Sequence, residues 1–171
     1  MNLLIHCFKV PNKLQLFFLG LILFVSCRES QLSFNTSKET DGSKPKQGVK
    51  GKVIYKEGRF DSKGNLLTNG TVVGVPRKIY FYQLTGLQEV DLSYGTFLNS
   101  VHTEVLDSMK SDKNGNFAGA LQPGMYSIFI DENDQLYSHV NDEGLFLPVK
   151  IYKDSVTDIT IYIDYNATYT E

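Results

Sequence analysis

Residues 158–164 read Asp-Ile-Thr-Ile-Tyr-Ile-Asp, and this strict alternation constrains the fold more than any other feature of the chain. Side chains project to opposite faces at every second residue of a strand, so Ile159, Ile161 and Ile163 share one face. Asp158, Thr160, Tyr162 and Asp164 share the other. The same period opens the folded part, where Val49, Val53 and Tyr55 alternate with Lys50, Lys52 and Lys56. Further strands are expected over 75–84, 103–111 and 117–121, and then at Tyr126, Ile128 and Ile130. Leu145, Leu147, Val149 and Ile151 share one parity, with Pro148 favouring a sheet edge. No segment shows a convincing amphipathic helical period.

About seven short strands separated by turn signals predict an all-β, antiparallel, seven-stranded β-sandwich. Residues 57–74, with four glycines, read as turns, and 131–143 as an acidic loop. Residues 85–102 read as a long connection with one short element near Thr96 to Leu98. Asp112 to Asn116 is a turn of Asn-Gly type, expected to close a hairpin. Pro123-Gly124 is a second turn, with Gly124 expected at positive φ. Tyr and Phe are abundant, with 10 and 11 copies and no Trp, and both types suit strands.

The first 47 residues are of another kind. Lys9 and Lys13 precede the apolar run LQLFFLGLILFVS at 14–26, which ends in small Ser26 before Cys27. A basic flank, a short apolar stretch and a small residue at the junction make a secretory signal peptide. A spanning helix needs about 20 apolar residues, and an uncleaved anchor is the rival reading. The junction resembles the signal of bacterial lipoproteins. That resemblance implies lipid on the Cys27 thiol and a mature chain beginning there. With Cys7 in the removed segment, Cys27 is the sole mature cysteine and no internal disulfide can form. Residues 28–47 are polar, with only Leu32 and Phe34 as larger apolar groups, and are expected to be a flexible tether. The domain expectation is therefore signal peptide 1–26, lipidated tether 27–47 and β-domain 48–171.

Three pieces of the β-domain carry a second resemblance. Gly51-Lys52-Val53 opens the first strand, Ser111-Asp112-Lys113-Asn114-Gly115-Asn116-Phe117 forms a turn, and Leu121-Gln122-Pro123-Gly124-Met125-Tyr126 follows. The pattern resembles the carboxypeptidase regulatory-like domains, which are transthyretin-like Greek-key sandwiches. Only 111–130 is specific, and the long 85–102 stretch departs from the compact family layout. The resemblance implies a non-catalytic module. Together with the signal, it looks like cell-envelope proteins of the Bacteroidetes group, anchored in the outer membrane, with an envelope protein as partner.

The net charge of -2 argues against nucleic acid, which calls for a basic footprint. Asp112, Asn114 and Asn116 alternate like the start of a calcium loop. Phe117 and Pro123, however, replace the Gly and Glu that such a loop requires at its sixth and twelfth positions. His102 and His139 lack a second His or a Cys at ligand spacing, so neither zinc nor another cofactor is expected. His102 beside Thr103 and Glu104 invites acid–base chemistry, but no motif supplies a nucleophile and oriented base. No catalytic residue is assigned. The alternative function is carbohydrate binding, with Tyr94 and Tyr137, both read as loop residues, as candidate ligand contacts.

Overall fold

The computed structural model describes residues 45–67, 69–93 and 96–170. They form eleven strands: β1 Gly48–Phe60, β2 Thr71–Gly74, β3 Lys78–Gln83, β4 Val90–Leu92, β5 Phe97–Val101, β6 Val105–Lys110, β7 Asn116–Gly119, β8 Gly124–Glu132, β9 Gln135–Tyr137, β10 Pro148–Ile151 and β11 Val156–Tyr169. A single 3-10 turn at Leu87–Glu89 precedes β4. The expected all-β class holds.

The strands form two sheets. In the first, β1 is central, with β11 on one side and β7 and then β2 along the other. The second runs β4-β5-β9-β8-β3-β6, with β10 also pairing β8, and is antiparallel throughout. The expectation of antiparallel pairing everywhere fails in the first sheet, because β1 and β11 run parallel. Alternation tells which face a residue takes and nothing about strand direction. A parallel pair needs a long crossover, and here nearly the whole domain lies between the two strands.

The count of seven strands also gives way to eleven. β2, β4 and β9 span only four, three and three residues, too few to display a period. Three local readings change as well. The 112–116 turn joins β6 of the second sheet to β7 of the first, so it crosses between sheets and does not close a hairpin. Gly124 does not take positive φ; it opens β8 opposite Ile151. Phe146 is buried, and Leu147 leaves the expected strand with φ 27 before β10 begins. Gly115 does take φ 85, and a Cβ there would collide with the Val53 carbonyl, which fixes glycine at the crossing.

One buried cluster draws on both sheets. Val49, Val53, Phe117, Ile161 and Ile163 of the first sheet join Ile79, Phe81, Ile128, Ile130, Tyr137 and Ile151 of the second. Burying each such aliphatic side chain stabilises the fold by about 1.5–3 kcal/mol. The second sheet is covered on its other face too. There Tyr82, Leu98, Phe129 and Phe146 pack together, with Val90, Val101 and Leu136 at the margin. The stretch 85–102 thus carries β4 and β5, which extend the second sheet and supply apolar side chains to this second cluster. In consequence Phe129 is fully buried although it has the opposite parity to Ile128.

Candidate functional site

Two residues of β11, Asp164 and Tyr165, oppose the single Lys56 of β1, because the register passes from Tyr55–Ile163 to Glu57–Asn166. This is a β-bulge, a device that re-aims side chains. It turns Asp164 and Tyr165 towards groups of the second sheet.

Asp164 is 17% exposed and collects four contacts. The Tyr137 hydroxyl donates to its Oδ1 at 2.9 Å, and the Tyr169 hydroxyl to its Oδ2 at 2.9 Å. His139 Nε2 lies 2.9 Å from Oδ1, and the Asp164 backbone N–H donates to the Tyr137 hydroxyl at 3.2 Å. Since the Tyr137 proton goes to Asp164, the imidazole Nε2, 2.9 Å from that hydroxyl, supplies its own proton to the group. The bond to His139 holds the Asp164 carboxyl well below the usual carboxylate range, and the bond to Asp164 raises the imidazole. Burial pushes the Tyr137 phenol up strongly.

Tyr165 donates to Glu132 Oε1 at 3.1 Å. Glu132 is 2% exposed and takes a two-pronged contact from Arg77, through Nε to Oε2 and Nη2 to Oε1, the latter at 3.0 Å. Burial, with the Glu132 charge beside it, pushes the Tyr165 phenol up to about 12. The Tyr165 ring also meets Tyr55, Phe97 and Tyr137 at centroid distances of 6.1, 5.0 and 5.6 Å. The hydroxyls of Tyr137, Tyr165 and Tyr169 and the carboxylates of Asp164 and Glu132 therefore all bond to neighbours within the fold, and these bonds tie the two sheets together.

A second group, Asp91, Ser100 and His102, has the composition of a hydrolytic triad. Ser100 Oγ donates to Asp91 Oδ2, and His102 Nε2 lies 3.0 Å from the same oxygen and 3.2 Å from Ser100 Oγ. A relay needs the carboxylate on one ring nitrogen and the hydroxyl on the other. Here both partners use Nε2, at a site where His102 and Asp91 are 54% and 61% exposed. The acid–base suggestion for His102 thus gains a carboxylate and a hydroxyl but not the geometry for transfer.

At the sheet-crossing turn, Asp112 Oδ1 accepts the backbone N–H groups of Asn114 and Asn116 at 2.9 and 2.8 Å. Its oxygens are also met by the Asn116 amide, which lowers the carboxyl. The carboxylate shapes the turn.

No known family, curated protein or solved structure matches this chain.

Cys27 and Tyr94 lie outside the described residues, as do the whole apolar run and most of the expected tether. Among the described residues no helix is long and apolar enough to cross a membrane. Tyr137 needs correction. It lies in β9, not in a loop, and at 1% exposure its ring is covered by the shared core and unavailable for stacking. The acidic segment around it holds a hairpin. Asn133 and Asp134, at φ 55 and 64, form a two-residue turn between β8 and β9. An Asn-Asp pair between Ile130 and Leu136 is the sequence signal that points to it.

That hairpin borders a shallow hollow of about 350 Å3, lined by Tyr80, Tyr82, Asp131, Asp134, Gln135 and Leu136. Tyr80 and Tyr82 come from β3 with one parity, opposite to buried Ile79 and Phe81. In the sequence Tyr80 and Tyr82 read as strand residues, and the parity they share with polar Lys78 is the signal that they turn away from the shared core.

Proposed function

We propose that this chain is a lipid-anchored cell-envelope protein whose β-domain is a non-catalytic structural or protein-interaction module. The observation that carries the reading is the junction at Ser26-Cys27, with a basic flank and apolar run before it and a polar stretch after it. The first strand then starts at Gly48. A buried acyl chain contributes about 0.8 kcal/mol per methylene, and two or more chains hold a small domain at a bilayer. The anchor sits in the outer membrane in this reading, and the partner is another envelope protein. The transthyretin-like Greek-key sandwich belongs to the same proposal. It draws support from the two sheets that share one core and from the Asp112 turn that carries the chain between them.

The test is fractionation of cells expressing the full chain and Cys27→Ser. The proposal predicts wild-type protein in the membrane fraction, released by detergent and labelled by palmitate, with the variant soluble and unlabelled. Identical partitioning of the two would contradict it. A second reading, carbohydrate binding, is favoured by the tyrosine-lined hollow on the outer face of the second sheet, a site other than buried Tyr137.

A further inference from the structure

We infer that the hollow beside the β8–β9 hairpin binds one unit of a neutral saccharide chain, with Tyr80 as the stacking platform and Asp131, Asp134 and Gln135 as partners for its hydroxyls. The inference rests on the carbohydrate reading and is independent of the lipid anchor.

The volume, about 350 Å3, falls at the lower end of the range of small-molecule sites, about 300–1,000 Å3. The hollow is open to solvent, which suits one unit of a longer chain. Its floor is rigid. The Tyr82 ring is 8% exposed and set edge-on against Phe129, centroids 5.0 Å apart. Tyr80 meets Tyr82 edge-on at 6.3 Å, packs against the same cluster and stays partly exposed. A tyrosine fixed in this way offers apolar area at small entropic cost.

The side chains of Asp131, Asp134 and Gln135 make no hydrogen bond or ion pair with any described residue, so they face solvent and are open to a ligand. Two carboxylates and an amide supply acceptors and a donor within one rim, as adjacent hydroxyls require.

Charge decides the ligand class. Asp131 and Asp134 on the rim repel an anionic ligand. The Lys78 ammonium, over the Tyr80 ring at 4.5 Å from its centroid, already takes up the ring's attraction for a cation and offsets part of the pull of the two carboxylates on a second one. A neutral polyol needs no net charge at the site and uses the carboxylates as hydrogen-bond acceptors.

The test uses the full chain purified in a detergent without a sugar headgroup. Binding is read on an array of neutral, amino and acidic oligosaccharides, and by native electrophoresis through gels containing neutral glucan, mannan or xylan. The inference predicts that wild type binds at least one neutral glycan. Tyr80→Ala and Asp131→Asn should each weaken binding about tenfold or more, while Tyr152→Ala, at an exposed tyrosine outside the hollow, leaves it unchanged. Thermal unfolding checks each fold, and Gln135→Ala at an exposed rim position serves if Tyr80→Ala unfolds. Neutral-glycan binding that survives Tyr80→Ala, Asp131→Asn and Gln135→Ala would overturn this site and leave the carbohydrate reading standing. Preference for amino or acidic sugars would overturn the ligand class. No binding to any glycan would overturn both the site and that reading.

Discussion

Asp164, His139 and Tyr137 on one side, and Asp91, His102 and Ser100 on another, are two assemblies of the same ingredients: a carboxylate, an imidazole and a hydroxyl. In the first, the two sheets supply partners from both sides of the bulge and Asp164 is only 17% exposed. In the second, β4, β5 and the residue after β5 supply all three groups, and Asp91 is 61% exposed. The comparison teaches that burial and the origin of the partners, more than composition, decide what such a group is for. Water competes for every bond of the exposed set, so it contributes little to stability. In the inner set Tyr137 and Asp164 are shielded from that competition, His139 at 40% exposure is less so, and together they fasten one sheet to the other.

The largest break in this contrast comes from the buried pair next to the inner set. Arg77→Met strands Glu132, 2% exposed, without its counter-charge and should cost about 3–5 kcal/mol in chemical denaturation. Adding Glu132→Gln should recover a large part of that loss. A loss near zero in the single variant would show that the pair is not insulated from water. Next in size, Tyr137→Phe removes the hydroxyl shared by Asp164 and His139 and should cost about 1–3 kcal/mol, with the fold retained by circular dichroism.

The pH dependence sharpens the contrast further. Asp164 is lowered in the fold, so its contribution is complete above the ordinary Asp value of about 3.9 and is lost as pH falls through the lowered value. His139 is raised, so its contribution is complete below about 6.5 and is lost as pH rises through the raised value. His139→Gln should flatten the decline of unfolding midpoint on the alkaline side. A decline as steep as that of wild type would show that the coupling does not reside in the inner assembly. Smallest of all, Ser100→Ala should leave the midpoint within experimental scatter; a drop equal to that of Tyr137→Phe would end the contrast.

How much of this was legible in the chain follows from length and period. β1 and the first half of β11 were plain because five or more residues alternate cleanly. β8 was found with only one of its two buried faces, since Phe129 is covered by Phe146 and Leu98, residues remote in sequence. β4 and β9 escaped because three residues carry no period. The bulge that builds the inner set has no local signature: Ile-Asp-Tyr-Asn reads as ordinary alternation until β1 is laid beside it. Tyr137 reads as a loop residue from its acidic neighbours, but these belong to a tight hairpin that carries it into β9. Tyr80 and Tyr82 were visible as strand residues, but their hollow is made by pairing with β8 and then β9.

Cys27 decides whether the protein is lipid-anchored, and intact-mass analysis of the protein isolated from its native cells reads its state directly. The predicted result is a polypeptide beginning at Cys27, heavier than its sequence by a lipid with several acyl chains. A chain that retains residues 1–26 and carries no lipid would contradict it.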